Sequence, residues 1–170
     1  VPRIKKYVYG YDNDKLEQVI ADLLIKNNLT VSTAESCTSG LLASRLTDVP
    51  GSSQYFKGGS VCYSNELKIN DIGIDKDLIE RYGAVSEEVA KSLAKNIAQK
   101  NNTDLGIGIT GIAGPDGGTE KKPVGLVFVG IFYKNNLYIK EYNLTPDRIT
   151  NRELTVTLCL NEIRKILRNS

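Results

Sequence analysis

Between Leu29 and Leu46 the chain changes its hydrophobic period. Leu29-Thr-Val-Ser-Thr33 reads as a strand, Leu41, Leu42 and Leu46 read as the buried face of a helix, and Thr33-Ala-Glu-Ser-Cys-Thr-Ser-Gly40 joins them. A strand that feeds a helix through so short a joint points to a layered α/β domain. The joint leads onto a helix N-terminus, where unpaired N–H groups and the helix dipole favour a phosphate, a carboxylate or a developing oxyanion. Its small and hydroxyl side chains make it the first candidate site. The competing account is that Ser36 or Thr38 only caps the helix.

The flanking pattern agrees with that architecture. Leu16, Val19, Ile20, Leu23 and Leu24 follow helical spacing, with Asp14 and Glu17 as a capping box. Residues 1–13 read as an arm or linker with Tyr7, Tyr9 and Tyr11, and residues 14–170 as the domain. Tyr55 to Tyr63 reads as a strand with a bulge at Gly58-Gly59. Ser64 or Asn65 then caps a short helix carrying Leu67 and Lys68. Asp77 to Tyr82 is a short helix stopped by Gly83, and a longer one follows with Ser86 as its cap and Val89, Leu93 and Ile97 inward. Asp104 to Thr110 and Pro123 to Tyr133 are apolar enough for buried strands, and Asn135-Asn136 suits a tight turn into Leu137 to Tyr142. Val156, Leu160, Ile163 and Leu167 mark a C-terminal helix whose start carries Asp147, Arg148 and Arg152.

The most restrictive feature of the composition is that none of the 170 residues is histidine. This removes Ser-His-Asp and Cys-His systems, HExxH zinc sites and histidine bases together. Acid–base work falls to Lys, Tyr, Asp or Glu. The 22 Lys and Arg against 20 Asp and Glu give a net charge of +2, which predicts no strong electrostatic pull toward nucleic acid. Three cysteines without CxxC spacing argue against a disulfide framework or a zinc site, and suit a reducing, cytoplasmic setting. No apolar run approaches the roughly 18 residues of a membrane span. The chain has no methionine and reads as part of a longer protein.

Two formal motifs carry no chemistry. Gly106-Ile-Gly-Ile-Thr-Gly111 matches GxGxxG, but its first glycines fall inside a strand and no helix follows, so a dinucleotide fold is rejected. Ser92-Leu-Ala-Lys95 matches SxxK in the middle of a helix. A better pair is Ser36 with Lys68: a lysine is a base once burial or nearby positive charge lowers its pKa, and N–H groups of the helix start supply an oxyanion hole. Cys37 is the rival nucleophile, although its adjacent position turns one of the two away from the pocket. The glycine-rich loop from Thr110 to Gly114, with Arg148 and Arg152 one helical turn apart, is a candidate phosphate site. A tight turn with two solvated arginines is the alternative there.

The segments Thr33-Ala-Glu-Ser-Cys-Thr-Ser-Gly40, Asp48-Val-Pro-Gly-Ser-Ser, Phe56-Lys-Gly-Gly, Tyr63-Ser-Asn with Lys68, Gly83-Ala-Val-Ser, Thr110-Gly-Ile-Ala-Gly-Pro and Lys122-Pro-Val-Gly resemble the C-terminal domain of the CinA family. The family includes the bacterial nicotinamide mononucleotide amidohydrolases. The resemblance implies a three-layer α/β/α sandwich with a mixed central sheet that hydrolyses nicotinamide mononucleotide to nicotinate mononucleotide and ammonia. It implies a serine nucleophile and a lysine base, with no metal and no cofactor. On this chain the catalytic set is Ser36, Lys68 and Tyr63. The substrate-binding set is Glu35, Thr38, Gly40, Asn65, Thr110, Gly111, Ile112, Ala113, Gly114, Arg148 and Arg152. Ser39 stands where the family pattern usually has a second glycine. The same resemblance implies a pyridine nucleotide as substrate and an upstream domain related to molybdopterin-binding proteins, and a compact enzyme of this size is expected to be a homodimer. A non-catalytic ligand-binding or interaction module linked to competence and DNA uptake is the alternative class.

Overall fold

In the computed structural model, which describes residues 15–169, five strands form one mixed sheet. In chain order they are β1 (Val31–Glu35), β2 (Phe56–Val61), β3 (Leu105–Gly111), β4 (Leu126–Tyr133) and β5 (Asn136–Asn143). Their spatial order is β2-β1-β3-β4-β5, with β1 parallel to both neighbours and β3, β4 and β5 antiparallel in succession. The arm, its tyrosines and Asp14 lie outside the described residues.

Alternation along β1 and β3 sorts the layers, because successive side chains face opposite sides of a sheet. Val31, Leu105, Ile107 and Ile109 face α1 (Leu16–Lys26), α2 (Leu41–Thr47) and α6 (Arg148–Arg168), forming the larger core with Ile20, Leu24, Leu42, Leu46, Val156, Leu160 and Ile163. Ala34 on the other face joins Leu93 and Ile97 of α5 (Glu87–Asn101) and Ile79 of α4 (Lys76–Tyr82), beside the short α3 (Asn65–Asn70). The three-layer sandwich is therefore present.

The glycines that imitated a dinucleotide motif serve packing. A Cβ on Gly108 would lie 2.5 Å from the Ala90 carbonyl, and one on Gly106 would collide with the Ala94 carbonyl. Gly130, opposite Gly108 on β4, is crowded by Ala90 in the same way. Missing side chains on β3 and β4 thus let α5 lie directly on the sheet.

Several boundaries differ from the sequence reading. β1 begins two residues late and runs on to Glu35, because its register with β3 continues from Val31↔Leu105 to Glu35↔Ile109. The N-cap of α1 is Lys15 without a side-chain bond, and Glu17 pairs with Arg45 of α2; the capping box expected from Asp14 and Glu17 falls partly outside the described residues. The β4–β5 turn is centred on Lys134-Asn135, both at positive φ, because Tyr133 pairs with Asn136. The bulge in β2 is present: the register skips Lys57 between Phe56↔Val31 and Gly58↔Ser32.

Candidate active site

At the C-terminal ends of β1 and β3, a cleft of about 200 Å³ opens between the sheet, α3, the α4–α5 connection and the start of α6. Its wall includes Ser36, Cys37, Tyr63, Asn65, Lys68, Ala84, Val85, Thr110, Gly111, Ala113 and Arg148. Ser36 continues β1 by one residue, its N–H donating to the Ile109 carbonyl at 3.0 Å, so a strand end aims its hydroxyl.

Lys68 meets that hydroxyl from α3. Ser64 caps this helix by accepting from Leu67 N, which fixes the turn bearing Lys68. The lysine is 2 % exposed. Its Nζ lies 3.0 Å from Ser36 Oγ, 2.9 Å from the Cys62 carbonyl and 3.2 Å from the Tyr63 carbonyl. No salt bridge among the described residues involves it. Burial pushes its pKa below the ordinary lysine value, opposed by the nearby Cys62 and Cys37. A neutral amine donates two N–H groups and accepts through one lone pair. Carbonyl oxygens can only accept, so among these three partners only the serine hydroxyl can donate to the lone pair.

Cys37 shares the cleft wall with Ser36, contrary to the expectation that adjacency would turn one of them away. Their chemistry differs. Burial pushes the Cys37 thiol up to about 12, which keeps it protonated at neutral pH.

The helix N-terminus expected to receive substrate is already filled from within. Glu35, 1 % exposed, accepts from Thr38 Oγ1 at 2.6 Å, Gly40 N at 3.1 Å, Leu42 N at 3.0 Å and Ala43 N at 2.9 Å. The α2 helix has Gly40 as its N-cap, so neither Ser36 nor Thr38 caps it in the expected way. Of the residues expected to bind substrate, Glu35, Thr38 and Gly40 lie outside the cleft wall, and the Glu35 carboxylate accepts from the other two. The Leu42 and Ala43 N–H groups at the start of α2, where an oxyanion hole was expected, also donate to Glu35. Ser39 has φ +50° and is exposed, outside the cleft wall.

The rim is held by Arg148. Its guanidinium donates to the Gly114 carbonyl at 2.9 Å and to Tyr63 Oη at 2.8 Å, tying the glycine loop to the segment before α3. Tyr63 therefore reaches the Ser36–Lys68 pair through its backbone, while its half-exposed ring lies at the rim. Arg152 is one turn farther along α6 and donates to the Thr38 carbonyl at 3.1 Å, off the cleft wall. Of the glycine loop, Gly111 and Ala113 line the cleft whereas Ile112 and Gly114 do not. Thr110 donates to the Ala84 carbonyl at 2.8 Å.

Two wall residues, Ala84 and Val85, escaped the functional reading because small apolar side chains in a helix connection carry no chemical signal. Lys122 escaped it too. Its ammonium donates to the Tyr82 and Val85 carbonyls at 2.5 and 2.6 Å and clamps that connection. The SxxK pair lies elsewhere, on α5.

The three-layer sandwich agrees with what comparison with known proteins finds. The CinA C-terminal domain family matches residues 13–167. The chain belongs to this family. A CinA-like protein from Dictyoglomus thermophilum is 47% identical over 167 residues, covering 98% of this chain and 41% of the relative. A putative competence-damage inducible protein from Clostridium tetani is 49% identical over 160 residues, covering 94% of this chain and 39% of the relative. The chain thus spans about two fifths of the length of these CinA relatives. Among solved structures, the competence/damage inducible protein CihA from Agrobacterium tumefaciens superposes with TM-score 0.85 at 34% identity, covering 94% of this chain and 99% of that one. A CinA superfamily protein from Escherichia coli gives TM-score 0.85 at 29% identity, covering 95% and 97%.

Proposed function

We propose that this CinA-family chain is an amidohydrolase that converts nicotinamide mononucleotide to nicotinate mononucleotide and ammonia. The observation that carries the reading is Lys68 Nζ at 3.0 Å from Ser36 Oγ, with carbonyl oxygens as its other partners. Neutral Lys68 takes the serine proton as Ser36 Oγ attacks the carboxamide carbon. The C–N bond breaks in the tetrahedral intermediate, and Lys68 returns the proton to the departing ammonia. Water, activated by the same amine, then hydrolyses the acyl-enzyme and frees Ser36. The oxyanion falls to the turn after Ser36, at the Cys37 N–H, which bonds to no backbone carbonyl among the described residues.

The cleft is smaller than the roughly 300–1,000 Å³ of sites that enclose a drug-sized ligand. It suits one carboxamide-bearing ring between Ala84, Val85 and Ala113, with the ribose phosphate beyond the rim near Arg148. A homodimer and an upstream domain remain part of the proposal. The relatives' names speak of competence and damage rather than hydrolysis, which favours the interaction module as the second reading.

The test is release of ammonia from nicotinamide mononucleotide by the purified chain, with Ser36→Ala as control. Turnover lost in the control supports the hydrolase; a folded wild-type chain that releases none leaves the interaction module.

A further inference from the structure

The residue immediately before the nucleophile carries a buried carboxylate for which the reaction has no use. Glu35 Oε2 accepts from Thr38 Oγ1, Gly40 N and Leu42 N, and Oε1 accepts from Ala43 N. These donors lie along the turn and first residues of α2, so one side chain closes the loop that begins at Ser36. From the opposite side Arg152 donates to the Thr38 carbonyl. The backbone of Glu35 reaches the other half of the pair. Its carbonyl accepts from Cys62 N at 2.9 Å, and the Cys62 carbonyl in turn accepts from Lys68 Nζ.

We infer that Glu35 is the positioning residue of the Ser36–Lys68 pair, holding the nucleophile turn at hydrogen-bond distance from the lysine. The inference rests on the Ser–Lys reading above. Its chemistry is specific to a carboxylate. Glutamine has one acceptor oxygen, and its NH₂ group would face N–H groups that need an acceptor. Aspartate is one methylene short of the same span. Because a displacement of about 1 Å can cost a hundredfold in a reacting geometry, a slackened turn should show in rate before it shows in fold.

The experiment uses the full chain and a fluorophosphonate, whose reaction reports serine nucleophilicity without relying on the natural substrate. The Ser36 Oγ–phosphorus bond forms, the phosphorus–fluorine bond breaks, fluoride leaves, and the serine proton passes to Lys68. Intact mass gives both the rate and the fraction labelled. Glu35→Gln should label at least about tenfold more slowly than wild type yet reach the same final fraction, with an unchanged pH of half-maximal rate. Labelling at the wild-type rate overturns the inference. So does a wild-type rate with a reduced final fraction, which is the mark of partial unfolding, or a shifted pH midpoint with an unchanged limiting rate, which is the mark of an effect on the charge of Lys68. Should Glu35→Gln not fold, Thr38→Val removes one donor to the carboxylate and should slow labelling about threefold, whereas a wild-type rate overturns the inference. A wild-type protein that labels at Ser36 but releases no ammonia from the mononucleotide overturns the substrate assignment alone.

Discussion

A lysine buried to 2 % exposure beside two carbonyls and a hydroxyl, with no carboxylate partner among the described residues, is costly to keep charged. Its folded pKa lies below the ordinary lysine value through burial, so the neutral fraction grows as pH rises. The hydrolysis rate should therefore climb along one limb with a midpoint below the unperturbed value of about 10.4. Arginine keeps the charge and cannot deprotonate in the working range. Lys68→Arg should lose at least about a hundredfold in kcat, as Lys68→Ala does; substantial retained rate would make Lys68 an electrostatic element. Linkage has the same sign. Between the folded and unfolded pKa values the unfolded chain binds more protons, so wild type should gain stability relative to Lys68→Met as pH rises from 7 toward 10. Paired thermal melts would reveal it, and a constant difference would contradict it. At the neighbouring position, Cys37→Ala should keep most of the activity that Ser36→Ala abolishes, because the buried thiol is held near 12. Inactivation by Cys37→Ala with full turnover by Ser36→Ala would reverse the two roles.

At the scale of elements, the sheet and α5 touch backbone to backbone. Gly108→Ala puts a Cβ 2.5 Å from the Ala90 carbonyl, and the helix must move to admit it. Overpacking of this kind costs about 1–3 kcal/mol, which at roughly 2–4 °C per kcal/mol for a domain of this size should lower the melting temperature by several degrees. An unchanged melt would show that α5 yields freely. The connection before α5 is held differently, by Lys122 on the Tyr82 and Val85 carbonyls and by Thr110 on that of Ala84. Removing the ammonium in Lys122→Met loses two charge-assisted bonds of about 1.5–3 kcal/mol each, although water will recover part of this. The wall formed by Ala84 and Val85 should loosen, raising KM about tenfold with kcat little changed; a fall in kcat alone would place Lys122 in the chemical step.

For the whole molecule, the proposed reaction would hold the carboxamide in the cleft and leave the rest of the nucleotide to the rim. If Arg148 exchanges its bonds to Tyr63 and Gly114 for a phosphate, nicotinamide riboside should be used on the order of a hundredfold less efficiently than the mononucleotide. Arg148→Ala should erase most of that difference. Equal specificity constants for the two substrates in wild type would remove the phosphate from this rim. The chain belongs to the CinA C-terminal domain family, while the matched relatives are longer than this chain.

The order of elements, the α/β class and the pairing of Ser36 with Lys68 were legible in the sequence, because hydrophobic period, caps and the absence of histidine are local or compositional properties. Ser64 and Ser86 cap the helices they were expected to cap for the same reason. What the sequence could not disclose is which of several adjacent polar groups would be used up internally. Glu35, Thr38 and Gly40 resembled a binding site and became a closed hydrogen-bond set, since β1 ran on to Glu35 and delivered its carboxylate to the start of α2. Arg148 reached the cleft wall and Arg152 the turn between Ser36 and α2, although one helical turn separates them. Likewise Gly106 and Gly108 declared themselves as packing glycines only once α5 lay across them. These outcomes depend on residues distant in sequence competing for the same donors, acceptors and space. Only the tertiary arrangement decides that competition, because an unmet buried polar group costs about 1–3 kcal/mol and the fold settles where such groups are met.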